Sequence, residues 1–471
     1  MDFLTVNGNR ILNESGKAIT LRGVCVPGYM NYEFFINGYL GAEHDLRDTT
    51  AEIIGAEKAQ YLFDSMTRNF FAEDDARFLA DLGVNVIRLP MNYRHFEDDM
   101  NPFEYLEEGF HKLFRFLDLC KAHNIYVILD MHSCQGWQSS DWHCDNSSGR
   151  SLLWSDKLYQ NRFVALWEEI ARRCRGRSEI AAYDVMNEPV VNSKRGLTPY
   201  AYEPRWAPLN QLNRRVTEAI RKIDDRHIIA LEGEFYTNYF SELDAPFTDN
   251  LIYSGHRYPA AGMARTPYPG EMNGVYYDAE KLKANVFAEK SFVYTRKHHV
   301  PLWIGEFGVG FRDEYETLWH CNVLSDMLKA YNEYGLHWTL WNYKDMGLHG
   351  LTVLDKESDY VRLVKKNYDK MMPILNIGAK GIGDDFVKSL NDLAEAISLR
   401  LIKPSDGDEG VADVLARCVS GNFYSVLLQP EYAYLFKDMS YSAIDHVMAS
   451  FAFKNCKVHV QAEIIKKYLA E

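Results

Sequence analysis

Eight short apolar segments within residues 21–344 of the 471-residue chain predict an α/β fold whose parallel strands close into a (β/α)₈ TIM barrel. Between successive segments, apolar residues recur at helical spacing, as in "GFHKLFRFLDLCKAHN" after the second segment. Strand and helix thus alternate eight times, which is the order that such a barrel requires. We expect the barrel, with a short N-terminal hairpin, to fill residues 1–380.

The eight segments share a high content of Val, Ile, Leu and aromatic residues, as expected of parallel strands that are buried on both faces. In chain order they are "LRGVCVPG" (21–28), "VNVIRLP" (84–90), "YVILDMH" (126–132), "IAAYDVMNEP" (180–189), "HIIALEG" (227–233), "NLIYSGHRY" (250–258), "VPLWIGEFG" (300–308) and "LHWTLWNYK" (336–344). Ahead of them, "TVNGNRIL" contains an Asn-Gly turn. Residues 1–20 are therefore predicted to form a hairpin that covers the bottom of the barrel.

The pattern changes from about residue 381. "DDFVKSLNDLAEAISLRLI" predicts an amphipathic helix, and further helical stretches without a strand pattern continue to "AEIIKKYLAE". Residues 381–471 are expected to form a C-terminal helical extension without a catalytic group. We expect it to pack against the flank of the barrel or against a second copy of the chain.

Composition excludes several classes of partner. The formal net charge of −14 argues against nucleic acid or an anionic membrane surface. The N-terminal "MDFLTVNGNRILNESG" lacks the basic and apolar regions of a secretory signal, and no apolar run reaches the length of a membrane span.

The eight cysteines are scattered without a CxxC pair, although Cys134 and Cys144 share one loop region. We therefore expect a cytoplasmic protein with free thiols.

Polar and aromatic side chains stand at the ends of six of the predicted strands. Pro189 cannot continue a strand, so Glu188 lies at the end of a buried one, where a carboxylate is costly unless it is used. The whole set, in strand order, is Arg88, His132, Asn187, Glu188, His256, Tyr258, Glu306 and Trp341. In barrels of this kind the carboxyl ends of the strands form the active site.

Two carboxylates that face one cleft can cleave a glycosidic bond, one as general acid/base and the other as nucleophile. The acid needs a raised pKa, whereas a nucleophile is kept ionised by a neighbouring arginine and a tyrosine hydroxyl. Arg88 and Tyr258 are the candidates for that support. Asn187 could bind a sugar 2-hydroxyl, and Trp341 offers a flat face to a pyranose ring.

This set of residues resembles glycoside hydrolase family 5, from the clan of retaining (β/α)₈ hydrolases whose two glutamates follow strands four and seven. The family pattern is present as "IRLP", "DMH", "MNEP", "GHRYP", "WIGEFG" and "TLWNY". The resemblance covers about residues 5–375. It implies that Glu188 is the acid/base and Glu306 the nucleophile, and that neither a metal nor a cofactor takes part.

Three predicted loops are much longer than the usual 2–6 residues of α/β units, namely 133–154, 190–208 and 259–277. They are polar and aromatic, and could wall an open groove into a pocket. Trp142, His143 and Asn146 are the candidates for that wall. The loop after strand three is similar to that of exo-acting family members.

The expected substrate is therefore a β-linked oligosaccharide. The resemblance favours an exo-acting β-mannosidase, with a β-glucosidase or exo-glucanase second. An endo-β-1,4-glucanase or endo-mannanase remains the alternative.

Three other classes of protein fit the chain less well. A metal-dependent amidohydrolase would place His-x-His at the end of strand one, where this chain has "GVCVPG". A sugar-binding barrel without catalysis would need the aromatic residues but not both glutamates. A third alternative is a protein whose main task is assembly, with the barrel as a scaffold and the loops or the C-terminal helices forming a homo-oligomer.

Overall fold

The computed structural model describes residues 1–191, 203–263, 266–272, 274–311, 314–371, 385–400, 411, 414–415 and 418–471. Within these ranges, no helix is both long and apolar enough to cross a membrane.

Eight parallel strands close into a barrel, which confirms the predicted fold class. They are β1 (Arg22–Cys25), β2 (Val86–Asn92), β3 (Tyr126–Ser133), β4 (Ile180–Asp184), β5 (Ile228–Glu232), β6 (Leu251–Arg257), β7 (Leu302–Phe307) and β8 (His337–Leu340). Around the barrel they follow in sequence order, and β8 pairs with β1 to close it. All eight carboxyl ends therefore meet at one rim, where the predicted site residues gather.

The N-terminal hairpin covers the opposite end of the barrel, as the sequence predicted. Its strands, Thr5–Asn7 and Arg10–Leu12, pair antiparallel around a turn at Gly8. Leu4 and Ile11 are buried in one cluster with apolar side chains from the lower barrel interior, including Trp303 of β7. This cluster closes the lower end, so the carboxyl rim is the end left for a site.

Helices surround the barrel and present an apolar stripe to it. In the helix Lys157–Cys174, the buried residues include Phe163, Leu166, Trp167 and Ile170, which share one face. The Asp156 side chain caps its first turn by accepting from the Leu158 amide at 2.8 Å.

The described α-helices are Phe34–Asn37, Glu43–Ile54, Ala56–Phe70, Glu73–Leu82, Glu107–Ala122, Lys157–Cys174, Trp206–Arg221, Ala260–Met263, Ala279–Ala288, Lys290–His298, Glu314–Glu333, Asp359–Met371, Asp385–Ser398, Ser425–Tyr434, Tyr441–Met448 and Gln461–Leu469. Short 3₁₀ turns cover Tyr93–His95, Trp142–Cys144, Leu152–Trp154, Ala449–Phe451 and Phe453–Asn455, and a π-helical turn covers Val419–Tyr424.

The C-terminal region is helical, but the expectation that it lacks a strand is wrong. Cys456–Val458 pairs antiparallel with Thr352–Leu354, a strand that follows the barrel, and so completes a small three-stranded sheet. The Gln461 side-chain amide donates to the carbonyls of His349 and Gly350 at 2.8 and 2.6 Å. These contacts hold the extension against the barrel flank.

All eight cysteines are free thiols, as the sequence predicted. Cys134 and Cys144, which share a loop region, do not pair. The Cys144 thiol contacts the Asp141 carbonyl at 3.0 Å, and burial raises its pKa to about 12. Both thiols therefore act as small buried packing groups in this loop.

Candidate active site

A cluster of buried charged side chains occupies the carboxyl rim of the barrel, with Arg88 of β2 at its centre. The Arg88 Nη1 donates to Glu306 Oε1 at 2.5 Å. Its Nη2 donates to Asn187 Oδ1 at 2.8 Å and to Asp184 Oδ2 at 3.0 Å. Burying a guanidinium is costly unless carboxylates surround it, as they do here. Arg88 therefore fixes the β7 glutamate and Asn187 in one arrangement.

Glu306 is held from a second side by the Tyr258 hydroxyl, which donates to its Oε2 at 2.8 Å. A β-bulge aims this side chain, because the register of β7 against β6 shifts between Ile304 and Glu306. The bulge requires glycine at 305, where a Cβ would lie 2.4 Å from the Ser254 hydroxyl. Both Glu306 oxygens thus accept from fixed donors, which sets the orientation of the carboxylate.

Glu188 follows β4, which ends earlier than the sequence suggested, at Asp184. The Glu188 backbone has φ of 44°, a left-handed conformation that non-glycine residues rarely adopt. Its Oε1 lies 2.7 Å from His256 Nδ1, and its Oε2 lies 3.3 Å from His143 Nε2. One oxygen of Glu188, one oxygen of Glu306 and one nitrogen of His256 all lie within 4.8 Å of one another. The two carboxyl groups therefore face one cleft at short range.

The expectation of a raised pKa at Glu188 is not met. Burial favours its neutral form, but hydrogen bonding and charge from His143 and His256 outweigh burial and hold the pKa of Glu188 well below its usual range. At His256 burial opposes charging, yet the carboxylates of Glu232, Glu306 and Glu188 raise the pKa of the imidazole well above its usual range. Both shifts favour an ionised Glu188 beside a protonated His256.

His132 and Trp341 form one wall of the site. Their rings stack at 5.5 Å between centroids with 12° between planes. The His132 Nδ1 lies 2.7 Å from Asp130 Oδ2, and Asp130 with Glu33 helps to raise the pKa of the imidazole to about 10 against the effect of burial. Trp341 is buried, and its contact with His132 fixes the ring at the rim.

Several buried acidic residues of this cluster were missed by the sequence analysis. Glu232 ends β5, Asp184 ends β4, and Glu33 lies after β1 with its Oε1 at 3.4 Å from His132 Nε2. Burial raises the pKa of Glu33. The reasoning applied to Glu188, that a carboxylate ending a buried strand must have a use, applies equally to Glu232 in "HIIALEG".

The loop after β3 lies beside Glu188 and contacts loops that follow two other strands. Its Trp142 ring packs on Phe34 after β1 with centroids 4.2 Å apart, and the next residue, His143, reaches Glu188. The Tyr236 hydroxyl, in the loop after β5, donates to Asp141 Oδ2 at 2.6 Å. Loops from three strands are thus joined beside Glu188.

The third wall candidate, Asn146, has a different place from that expected. Its side-chain amide donates to the Ser139 and Arg150 carbonyls at 2.7 and 3.0 Å and accepts from the Ser148 amide at 2.8 Å. Because loop backbone uses both ends of this amide, the hydrogen bonds of Asn146 shape the loop.

The two other long loops are described only in part. Residues 192–202 of the loop at 190–208 lie outside the described residues. The loop at 259–277, without residues 264–265 and 273, has structure of its own: the helix Ala260–Met263 and a hairpin of Gly270–Met272 with Val275–Tyr277.

Comparison with known proteins gives a family match and a relative of nearly the same length. The family described as "Cellulase (glycosyl hydrolase family 5)" matches residues 52–347. A protein named "Beta-xylosidase" from Phanerodontia chrysosporium is 34% identical over 472 residues, which cover 97% of this chain and 96% of that relative. "Endoglucanase C" from Acetivibrio thermocellus is 27% identical over 318 residues, covering 59% of this chain and 85% of that protein.

Solved structures agree on the fold. A protein described as a glycoside hydrolase has a TM-score of 0.51 at 23% identity and covers 70% of this chain and 90% of its own. An endogalactoceramidase has a TM-score of 0.52 at 17% identity, and the match covers 73% of this chain and 75% of that chain. At these identities the likeness concerns the architecture alone.

A (β/α)₈ barrel with two facing carboxylates at its carboxyl rim is the arrangement of a glycoside hydrolase, an enzyme that cleaves bonds between sugars. The family match and the near-full-length relative make the assignment specific: the chain belongs to glycosyl hydrolase family 5. It is an enzyme that acts on β-linked glycans.

Proposed function

We propose that the protein is a retaining β-glycosidase that releases single sugars from the non-reducing ends of β-linked oligosaccharides. Glu306 attacks the anomeric carbon while Glu188 protonates the departing oxygen, which gives a covalent glycosyl-enzyme. Glu188 then takes a proton from an attacking water molecule, and the sugar leaves with its original anomeric configuration. Asn187, held by Arg88, is placed to bind the neighbouring sugar hydroxyl.

The spacing of the two carboxyl groups is the observation that carries this proposal. Retaining glycosidases separate them by roughly 5–5.5 Å, whereas inverting enzymes leave about 6.5–9.5 Å for a water molecule. Oxygens of Glu188 and Glu306 within 4.8 Å of each other support the retaining mechanism. The bonds from Arg88 and Tyr258 further support Glu306 as the nucleophile, because they orient its carboxylate toward the cleft.

The joined loops support action at a chain end. Trp142 packed on Phe34, His143 beside Glu188, and the bond from Tyr236 to Asp141 together close one side of the cleft. A longer polymer gains no binding energy on a closed side, so a pocket favours terminal sugars. A relative that matches almost the whole chain is named a β-xylosidase.

Three kinds of β-glycoside are candidate substrates. The relatives do not favour the β-mannosidase that the sequence analysis placed first, and the name of the 34% identical relative favours β-D-xylosides. We therefore take β-xylosides as the first candidate substrate, ahead of β-glucosides and β-mannosides. Rates on a matched panel of p-nitrophenyl β-glycosides will rank the three by kcat/KM, and a preference for another sugar would overturn this choice.

The products formed early test the pocket. With xylohexaose, cellohexaose and mannohexaose, we expect a monosaccharide from the first minutes, with the remaining chain shortened by one unit. Chromatography of early samples shows the size of the products. An oligosaccharide labelled at its reducing end, used as the control, shows which end is attacked. Early di- and trisaccharides would instead show an open cleft, and would favour the endo-acting function that the likeness to Endoglucanase C makes the second candidate.

A further inference from the structure

We propose that Glu232, the last residue of β5, is a positioning residue that orients Glu188 and keeps the proton of the acid/base pair on His256. The inference rests on the proposed function, in which Glu188 is the acid/base. It adds to that function a carboxylate that does not itself touch the scissile bond.

Glu232 contacts three members of the site. Its side chain is fully buried, and its Oε2 accepts from the backbone amide of Glu188 at 2.6 Å. Its Oε1 lies 3.2 Å from His256 Nε2 and accepts from Arg88 Nη2 at 3.3 Å. Glu232 thus contacts the backbone of Glu188, the imidazole of His256 that is bonded to the Glu188 side chain, and the guanidinium of Arg88.

The bond to the Glu188 amide has a specific use. With φ of 44°, the Glu188 backbone is in a conformation that an L-residue keeps only when its surroundings impose it. A charged acceptor at 2.6 Å makes a strong hydrogen bond to that amide. Glu232 therefore holds the backbone turn that points the Glu188 carboxyl group at His256 and Glu306.

The imidazole of His256 lies among three carboxylates from three different elements. Its Nδ1 is 2.7 Å from Glu188 Oε1 and 3.7 Å from Glu306 Oε2, and its Nε2 is 3.2 Å from Glu232. The positive charge of Arg88 is shared among the carboxylates of Glu306, Glu232, Asp184 and Asp130. His143 faces Glu188 from its other side. Because Glu188 and Glu306 change their charge during the reaction, Glu232 is the partner that stabilises the imidazolium whenever His256 carries the proton.

The resulting proton path is balanced over the two half-reactions. In the first, the Nδ1 proton of His256 passes to Glu188 and from there to the departing glycosidic oxygen, as the bond from Glu306 to the anomeric carbon forms. This leaves a neutral imidazole and an ionised Glu188. In the second, Glu188 takes a proton from the attacking water and returns it to His256, while the Glu306 ester is cleaved.

The test is Glu232→Gln, which keeps an oxygen for the Glu188 amide and removes the charge beside His256. Removing a nearby opposite charge lowers the pKa of the imidazole, so the proton is lost at lower pH. We expect the alkaline limb of kcat/KM to move to lower pH by about 1–3 units. We also expect the rate on phenyl glycosides, which need the acid, to fall at least tenfold more than the rate on 2,4-dinitrophenyl glycosides, which do not.

Two further variants make the outcome decisive. Glu97→Gln is the matched control, since Glu97 is equally buried but is paired with Arg162 at 3.0 Å, outside the site. It should keep the wild-type pH profile and leaving-group dependence. Should Glu232→Gln fail to fold, His256→Gln takes its place and must show the same selective loss on poor leaving groups.

The results separate this inference from the function beneath it. If Glu232→Gln lost rate equally on both kinds of glycoside and kept the alkaline limb of the wild-type enzyme, Glu232 would have only a structural role and the inference would be overturned. Absence of hydrolysis of any aryl β-glycoside by the wild-type enzyme would instead overturn the proposed function.

Discussion

Replacing Glu306 by alanine is expected to lower kcat by about 10⁴- to 10⁶-fold on every β-glycoside that the enzyme accepts. The variant lacks the oxygen that we propose attacks the anomeric carbon. Arg88 would lose one of its acceptors and Tyr258 would lose the acceptor of its hydroxyl, so the fold is best checked by circular dichroism before rates are compared. Initial rates with 2,4-dinitrophenyl and p-nitrophenyl glycosides measure the loss.

Glu188→Ala should behave differently, because Glu306, the proposed nucleophile, is intact. With a 2,4-dinitrophenyl leaving group the glycosyl-enzyme still forms and then accumulates, since no base activates water. Azide can enter the vacated space and attack this intermediate, so it should restore part of the rate and give the β-glycosyl azide. An α-azide from this variant would show that the two glutamates have the opposite roles. Glu97→Gln, with neither loss nor azide effect, serves as the control for a change in a buried glutamate outside the site.

Removal of the C-terminal extension, by truncation after residue 380, is expected to leave a chain that is strongly destabilised. The Phe451 ring is fully buried between the extension and the barrel helices, against Phe70 and Tyr360. The equally buried Lys344 donates to the Phe451 carbonyl at 2.7 Å and to Asp75 at 2.6 Å. Truncation would expose those rings and remove one acceptor of a buried ammonium group.

A single substitution tests the same packing with less disturbance. Phe451→Ala should lower the free energy of unfolding by about 3–5 kcal/mol, because it removes a buried aromatic ring and leaves a cavity. Phe423→Ala is the matched control, since Phe423 is 65% exposed in the same region and should change stability by about 0.5 kcal/mol or less. Urea unfolding followed by tryptophan fluorescence measures both. Unchanged stability and rate in the truncated chain would show that the extension is dispensable.

Much of the architecture could be predicted because burial and periodicity are local properties of the chain. The apolar run that ends at "MNEP" indicates a strand, and the patterns between the runs indicate helices. Neither indication depends on the contacts that the chain makes after folding. Once parallel strands alternate with helices, their carboxyl ends must share a rim, so Glu188 and Glu306 were predicted to meet across 118 residues. The short strand Cys456–Val458 was missed, because three exposed or half-buried residues form a strand only when a partner edge is present.

The parts that sequence could not supply depend on which side chain reaches which atom. Asn146 and His143 stand in one polar loop, yet loop backbone takes up the amide of the first while the second reaches Glu188. Glu232 follows an apolar run as Glu188 does, and only its contacts with His256 and the Glu188 amide distinguish it from a structural carboxylate.

The sequence alone therefore determined the barrel, the rim and the two glutamates, because strand order and burial are encoded residue by residue. The protonation of the site was decided by tertiary structure. A carboxyl group that was expected to hold a proton instead lies between His143 and His256, and its pKa falls because those imidazoles converge on it from separate loops and strands. Electrostatic energies depend on distances of a few ångströms between groups far apart in the chain, and such distances exist only in the folded molecule.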